Sequence, residues 1–534
     1  MRITPESISR LSVCLLLVVA FGCSSAPPRP TSAPSQGAAS ATEPAKPANA
    51  TNAQQSAPSA VQPASSQPLV SMMARPERGI IGTPFTVAAD GLPPEREVEI
   101  QWATWTGRYA TKASTETVEY LERTFVDRRV SLGTVRSDPS GRISYDTTTP
   151  EDFGEVHDIF AVIDGRDVAR GGFRVLMDAQ MSPKDGPIGT PVTLRVTGMA
   201  AKLFSGSTLA VRYDNAYTGI MTATTTAGTA EATLRASGPL GAHIVQISAG
   251  SVPSYLNIHQ SPFDFVYSHL PNKEDFQFSF NVTEDTGPTA ASIVWPNASD
   301  IPTASSDTVR TTSRGIPPTA SANANFEPQA GPVGSLATLR MTGLQPNSPA
   351  QLFWTTARGN RVTPSGWSLA DVPLAESRTD AQGGASTAFS VPDDLGGWHV
   401  VRVMQNDTVV IEAPYFVERS IAAVTPTRLR TGENVTIQIK GVGWTELDNG
   451  FAVTYDNAYV GYACGFNSNG DVTMQIPATG GRGTHLIDLY PMVYKGKEQK
   501  AWYWTPVLTF ERDFPALSLG YRIPAMRLSI EIVD

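Results

Sequence analysis

The feature that most constrains the fold of this 534-residue chain is a nine-residue spacing between glycines that occurs four times, at 82–91, 189–198, 334–343 and 432–441. In every copy, apolar residues between the two glycines alternate with polar ones. Alternation with a period of two is typical of a strand with one buried face. Glycine at each end indicates a turn whose backbone angles suit few other residues. The repeat therefore predicts four copies of one β module.

Longer sequence matches show how the four modules are related. GLPPEREVEIQW at 91–102 resembles GLQPNSPAQLFW at 343–354, and VRYDNAYTG at 211–219 resembles VTYDNAYVG at 453–461. The first module thus pairs with the third and the second with the fourth, which gives the order A-B-A′-B′. Short strands with a turn roughly every ten residues predict that each module is a β-sandwich.

The N-terminus predicts export. Two arginines precede an apolar run at 11–21, which is shorter than the roughly 20 residues that span a bilayer and is typical of a secretory signal peptide. The sequence AFGC at 20–23 resembles the cleavage box of bacterial lipoproteins. The resemblance implies cleavage before Cys23 and acylation of this cysteine, with the lipid bilayer as a partner and an extracytoplasmic location, at the outer membrane if the cell has one. The alternative is an ordinary signal peptide that leaves Cys23 unmodified.

Composition divides the rest of the chain. Residues 24–70 are almost entirely Ala, Pro, Ser, Thr, Gln and Asn, with too little apolar surface to offset the entropy of an ordered chain. A second stretch rich in Ser, Thr, Pro and Ala follows the second module. We therefore predict a signal peptide at 1–22, a lipidated cysteine and disordered tether at 23–70, module A at 71–177, module B at 178–282, a linker at 283–325, module A′ at 326–419 and module B′ at 420–534.

The modules resemble the bacterial extracellular immunoglobulin-like families, including the IPT/TIG domains. The motifs that carry this resemblance are GTPVTLRVTG at 189–198, DPSGR at 138–142 and GGWHVVRV at 396–403. The resemblance implies an all-β fold of four tandem Ig-like β-sandwiches that serve as spacers, adhesins or accessory domains. These motifs describe architecture, and a fold of this kind does not by itself choose among those roles.

Charge and motif content argue against two classes of function. The net charge is −9 and no run of Lys or Arg is present, whereas binding to nucleic acid needs a concentrated basic face. The sequence has no G-x-S-x-G motif, no P-loop and no glycine fingerprint that opens a helix, so we predict neither an enzyme nor a cofactor.

Four of the six histidines occupy one matched position per module, at 157, 243, 399 and 485. One histidine per module is too few for a metal site, which needs several ligands within a few ångströms. We therefore predict that these histidines lie in the cores, bonded to nearby backbone, and that the chain has no metal site.

Aromatic and acidic residues next to turns are the candidate binding residues. They are Trp105 and Tyr120 in module A, Trp367 in module A′, Tyr213, Asp214 and Tyr217 in module B, and Tyr455, Asp456 and Tyr459 in module B′. Tyr120 belongs to an insert that module A′ lacks, and loops on a rigid sandwich commonly carry binding. The alternative for the Tyr-Asp-Asn-Ala-Tyr segments of B and B′ is a hairpin turn, because Asp and Asn tolerate positive φ.

These features predict a membrane-anchored cell-surface lipoprotein with a non-catalytic role in adhesion or envelope structure, whose partner is an unknown surface protein or glycan. The alternative is a glycan- or polymer-binding accessory lipoprotein that uses the aromatic residues of modules A and A′.

Overall fold

A computed structural model describes residues 68–113, 118–202, 207–250, 276–301, 321–359, 367–465, 469–493 and 505–534. Cys23, the predicted signal peptide and most of the predicted tether lie outside these residues. Gln67–Asp534 forms one compact unit. The described residues are strands and turns with two short 3₁₀ helices, so the predicted all-β, multi-domain sandwich fold is confirmed. Within the described part of the chain, no helix has the length and apolar character needed to cross a membrane.

Modules A and B together contain sixteen strands. Module A has β1 Val70–Arg75, β2 Arg78–Gly79, β3 Pro84–Ala89, β4 Glu97–Ala113, β5 Val118–Arg136, β6 Ile143–Thr148, β7 Glu155–Ile163 and β8 Arg166–Val175. Module B has β9 Asp178–Ser182, β10 Asp185–Gly186, β11 Pro191–Thr197, β12 Thr208–Tyr213, β13 Ala216–Thr222, β14 Ala230–Arg235, β15 Gly241–Ala249 and β16 Phe276–Val282.

A linker that contains β17 Ser292–Val294 and a 3₁₀ helix, Ala298–Asp300, follows module B, and modules A′ and B′ then repeat the pattern of A and B. Module A′ has β18 Ala324–Glu327, β19 Ala330–Pro332, β20 Leu336–Met341, β21 Pro349–Gly359, β22 Trp367–Arg378, β23 Ala385–Ser390, β24 Gly397–Gln405 and β25 Thr408–Glu418. Module B′ has β26 Ser420–Thr425, β27 Arg428–Leu429, β28 Asn434–Lys440, β29 Gly450–Tyr455, β30 Ala458–Cys464, β31 Val472–Pro477, β32 Gly483–Pro491, a 3₁₀ helix, Leu517–Leu519, and β33 Ala525–Ile532.

Each module packs a three-stranded layer on a larger one. The small layers of B, A′ and B′ are β9-β11-β14, β18-β20-β23 and β26-β28-β31, and the large layers are β10-β16-β15-β12-β13, β19-β25-β24-β21-β22 and β17-β33-β32-β29-β30. In module A, β1 pairs with both β3 and β8 and so joins the β1-β3-β6 layer to the β5-β4-β7-β8 layer.

The glycines of the repeat lie in turns with left-handed backbone angles, as the spacing predicts. All eight repeat glycines have positive φ, between 69° and 90°. At Gly198, a Cβ atom would lie 2.6 Å from the carbonyl oxygen of Leu176, so no other residue fits without a shift of the backbone. The strands between the glycines, β3, β11, β20 and β28, bury alternate residues.

The linker contributes to the sheet of module B′. Residues 292–294 lie in the predicted linker, and they form β17, which pairs antiparallel with β33 over Ala525–Arg527. The segment Ser292–Val294 therefore extends the large sheet of module B′.

Modules B and B′ share a continuous apolar core. An extended segment of B′ lies along the edge strand β13 of module B. The amide of Ile220 donates to the carbonyl of Pro506 at 2.9 Å, and the amide of Leu508 donates to the carbonyl of Ile220 at 2.8 Å. The β13 edge is therefore covered from within the chain.

The hairpin formed by β4 and β5 is an arm that reaches from module A to modules B and B′. Near its tip, the hydroxyl of Tyr109 donates to Asp513 at 2.9 Å, and the amide of Glu446 donates to the carbonyl of Val118 at 3.3 Å. One face of the insert that the sequence offers as a binding loop is therefore buried against other modules, with Val118 and Tyr120 covered and Glu122 exposed. Residues 114–117 lie outside the described residues.

Candidate functional site

The large layer of module A is held in place by a buried cluster beneath it. The indole of Trp102 donates to one oxygen of Asp152 at 2.8 Å, and the hydroxyl of Thr104 donates to the other at 2.6 Å. The ring of His157 stacks on Trp102 with 4.6 Å between the ring centres. These contacts fix the strands that carry the outer surface.

Module A′ contains the same cluster. Trp354 donates to Asp394 at 2.8 Å, Thr356 donates to the other oxygen of Asp394 at 2.7 Å, and His399 stacks on Trp354 at 4.5 Å. The outer surfaces of A and A′ can therefore be compared on equivalent supports.

The outer surface of β4, β5 and β7 in module A forms a groove of about 450 Å³, and we call this surface the A-face. Strand alternation brings its side chains together from three segments of the sequence. They are Trp105, Asp127, Arg128, Arg129, Val156, Asp158 and Phe160. The volume lies within the range of roughly 300–1,000 Å³ that is usual for ligand sites.

Three cations lie over the aromatic rings of the A-face, and the most distant is Arg170, whose guanidinium carbon is 5.8 Å from the centre of the Phe160 ring. The guanidinium carbon of Arg129 is 3.7 Å from the centre of the Phe160 ring, and the ammonium nitrogen of Lys202, from module B, is 4.8 Å from the centre of the Trp105 ring. Such contacts are worth about 0.5–1 kcal/mol each at exposed sites. They place charged hydrogen-bond donors beside apolar surface.

Carboxylates hold these cations in position. Asp167 accepts two hydrogen bonds from Arg129, at 2.7 and 3.0 Å, and Asp127 lies 3.5 Å from the ammonium of Lys202. Arg128 differs from its neighbours, because no ion pair or side-chain hydrogen bond of it occurs in the described part of the chain. The groove thus has paired donors and acceptors, and at its rim one guanidinium, that of Arg128, without a partner among the described residues.

Trp105 is the candidate binding residue that the structure places in this groove. Its half-buried ring contacts His157 and Phe153 at 5.1 and 6.3 Å between ring centres. The sequence analysis did not identify Phe160, Arg129 or Val156, because no motif marks them. The signal that could have found them is strand alternation, which places Val156 and Phe160 on the same face of β7.

The same surface of module A′ has a different composition. Arg402 occupies the place of Phe160 and is paired with Asp371 at 2.7 Å and Glu412 at 2.9 Å. Ala357 occupies the place of Trp105 and is buried against Leu395 and Trp444. Trp398 occupies the place of Val156 and is half-buried, with 5.1 Å between its ring centre and that of Phe416. The A′ surface is therefore an ion-pair network beside one half-buried ring. The remaining candidate of this module, Trp367, begins β22, and its side chain lies outside the described residues.

Tyr120 lies in the arm of module A with only 3% of its surface exposed, and its amide donates to Glu446 at 3.2 Å. Burial raises the pKa of Tyr120 to about 12, so the phenol is neutral. This position makes Tyr120 a contact between modules in the present structure.

Tyr213 and Asp214 begin the first pentapeptide, and both make contacts within module B. The hydroxyl of Tyr213 donates to the carbonyl of Ser237 at 2.8 Å, and Asp214 contacts the ring of His243 at 2.5 Å. Asp214 and Asn215 have φ of 48° and 66°, which is the geometry of a tight hairpin turn. The contacts agree with the turn alternative.

The matching residues of module B′ make the same contacts. Tyr455 donates to the carbonyl of Thr479 at 2.8 Å, and Asp456 contacts the ring of His485 at 2.6 Å. The last residues of the two pentapeptides, Tyr217 and Tyr459, face each other across the junction of B and B′ with 6.3 Å between ring centres.

Among the described residues, no group of three or more His, Cys, Asp and Glu side chains is arranged to hold a metal ion.

No protein-family model matches the sequence, and no curated protein matches it. Among solved structures, the D1–D4 ectodomain fragment of ICAM-5 is 11% identical and covers 88% of this chain and 100% of its own, with a TM-score of 0.17. The Escherichia coli adhesin FdeC is 13% identical, with 65% and 96% covered and a TM-score of 0.15. The eight N-terminal Ig domains of DSCAM are 11% identical, with 87% and 60% covered and a TM-score of 0.15. TM-scores this low do not indicate a shared overall arrangement, so we base the function on this chain's own residues.

Proposed function

We propose that this chain is a lipid-anchored, extracytoplasmic, non-catalytic interaction protein that contacts its partner through the A-face. The signal sequence, the cysteine at position 23 and the polar tether support the anchor. The groove, with its aromatic rings and fixed charges, supports the contact surface.

The difference between the A-face and its A′ counterpart is the observation that carries this proposal. Both surfaces rest on the same Trp, Asp and His cluster, so the fold does not require aromatic residues on one of them alone. Module A places the half-buried Trp105 beside Arg128, which is unpaired among the described residues. Module A′ has the buried Ala357 at the place of Trp105, and its half-buried Trp398 lies beside the paired Arg402. A surface that departs from its own duplicate in this way is the best candidate for recognition.

The anchor is tested by the variant Cys23→Ser. Wild-type protein should partition into detergent and show the added mass of acyl chains on its N-terminal peptide, whereas the variant should appear in the aqueous phase. A wild-type N-terminus without acyl chains would contradict the anchor.

The A-face is tested with the compact unit Gln67–Asp534 applied to envelope preparations from the same bacterium. Trp105→Ala should weaken binding more than about tenfold, which is usual for truncation of a central aromatic contact. The matched control is Arg402→Gln on module A′, which should leave binding unchanged. Equal binding by both variants would contradict the proposal.

A glycan-binding accessory role is the second candidate. It is favoured by the mixture of ring surface, guanidinium donors and carboxylate acceptors in one open groove. A glycan array with the same two variants tests it, and selective binding lost only in Trp105→Ala is the expected result.

A further inference from the structure

We infer that the A-face takes a glycan chain that bears carboxylates, such as a uronic-acid polysaccharide. This inference rests on the proposed role of the A-face as the contact surface and adds the chemistry of what is bound. It follows from three properties of the groove: its apolar surface, its paired donors and acceptors, and its unpaired guanidinium.

The apolar surface suits the carbon–hydrogen face of a sugar ring. Trp105 is half-buried, and Val156 on the neighbouring part of the groove has 50% of its surface exposed. Phe160 is covered by Arg129 and forms the floor. The exposed apolar area is therefore narrow and bounded by polar groups, which suits a polyhydroxylated ring better than a wholly apolar ligand.

Hydroxyl groups need acceptors as well as donors, and the groove supplies both. Asp127 and Asp158 accept, while Arg129 and Lys202 donate. The carboxylates already hold the cations, with Arg170 bonded to Asp158 at 2.6 and 3.0 Å on the far side. These ion pairs leave the outer oxygens and N–H groups of the side chains available to the hydroxyl groups of a sugar.

Arg128 indicates an acidic ligand. A guanidinium binds a carboxylate through two parallel hydrogen bonds, and this one has no partner among the described residues. The chain as a whole carries a net charge of −9, which disfavours a densely charged polymer. Carboxylates spaced along a sugar chain meet the single guanidinium without placing a dense charge on an acidic protein.

The test measures binding of Gln67–Asp534 to polygalacturonate, alginate and hyaluronate, with methyl-esterified polygalacturonate as the neutral counterpart and poly-glutamate as an acidic peptide. We expect at least one polyuronate to bind about tenfold more tightly than the neutral polymer and than poly-glutamate. Arg128→Gln should remove that preference and leave the affinity for the neutral polymer unchanged.

Val156→Glu is a second variant that should weaken binding without unfolding the protein. This position is exposed, so the variant should keep the wild-type thermal midpoint, while the new carboxylate should repel the polyuronate and weaken binding about tenfold. Arg402→Gln is the control for a charge change on the matched module, and its affinity should stay within about twofold of wild type.

Two results would overturn the inference. One is equal or tighter binding to poly-glutamate, which would make the A-face a surface for an acidic peptide. The other is no binding to any of the three polyuronates while Trp105→Ala still weakens binding to envelope preparations, in which case the proposed function stands and only the ligand chemistry fails. If Trp105→Ala affects neither, the proposed function itself fails.

Discussion

At the scale of single residues, the four matched histidines show how much a repeat position can specify. In every module, Nε2 of the histidine lies within 2.8 Å of the carbonyl oxygen four residues earlier, and the ring stacks on a buried Trp or Tyr. The predicted bond to backbone occurs in all four modules. The rings of His157, His243 and His399 are buried as predicted, whereas His485 is half-buried. What the sequence did not reveal is the second contact, which is to backbone carbonyls in A and A′ and to an aspartate in B and B′.

His485 makes the stability of module B′ depend on pH. Burial lowers its pKa, but the hydrogen bond and charge of Asp456, together with the Gly481 carbonyl, outweigh burial and raise the pKa above 6.5. A raised pKa in the folded state gives stability that is present in full below the unfolded pKa and is lost as pH rises through the folded pKa. His485→Gln should therefore lower the thermal midpoint more at pH 5.5 than at pH 8.5.

The control for this prediction is Asp146→Ala, at an exposed position in module A, whose effect should not change between the two pH values. An equal loss of midpoint for His485→Gln at both pH values would show that the ionic contact with Asp456 adds nothing to stability.

At the scale of secondary-structure elements, the arm formed by β4 and β5 is where sequence and structure differ most. Its extra length suggested a binding loop, and Tyr120 was a candidate on that ground. The residues of the arm near Tyr109 instead enter the junction of B and B′, where the carboxylate of Asp513 accepts a hydrogen bond from the Tyr109 hydroxyl. Length alone indicates an insertion, while the destination of an insertion depends on contacts hundreds of residues away.

Asp513 should be the main determinant of the arm's docking. It accepts hydrogen bonds from Tyr109, from the amide of Thr224 at 2.8 Å and from the amide of Thr225 at 2.7 Å. Asp513→Ala removes the acceptor of both amides and leaves the Tyr109 hydroxyl only the longer contact of 3.3 Å to Thr222. It should lower the free energy of unfolding by about 3 kcal/mol, whereas Tyr109→Phe should lower it by about 1 kcal/mol.

Urea denaturation of Gln67–Asp534 measures both changes, and hydrogen exchange at β13 reports local opening of the arm's binding site. The same loss for the two variants would mean that Asp513 serves only Tyr109, contrary to its contacts with the module B backbone.

At the scale of the whole molecule, a buried ionic cluster joins modules B and B′. Asp488 contacts two guanidinium groups, with Arg235 Nε at 3.2 Å and Arg527 at 3.0 Å, and all three side chains are buried. Arg527 also donates to the carbonyl of Thr233 at 3.0 Å, across the junction. The two halves of the chain are thus held by charge as well as by apolar packing.

Asp488→Asn removes the carboxylate that contacts both buried guanidinium groups. We expect a loss of about 3–5 kcal/mol in the free energy of unfolding, and separate unfolding of the two halves in place of one transition. The matched residue of module B is Gln246, which is half-buried, and Gln246→Ala should change stability far less. A single, unshifted transition for Asp488→Asn would show that the charge of Asp488 adds nothing to the junction of B and B′.

The β strands and their turns could be predicted from the sequence because they depend on contacts within about ten residues: alternation in one strand, positive φ at Gly198, and the Asp214-Asn215 hairpin. The order of the modules followed from their internal sequence matches. Which faces stay open follows only from the packing of the modules on one another. Trp105 and Tyr120 are both aromatic residues near an insertion, yet one lines a groove and the other is buried, since the outcome is set by whether another module covers the site. That coverage comes from contacts between distant segments, such as those of Asp513 with Tyr109 and of Asp488 with Arg235. No local pattern in the sequence predicts such contacts.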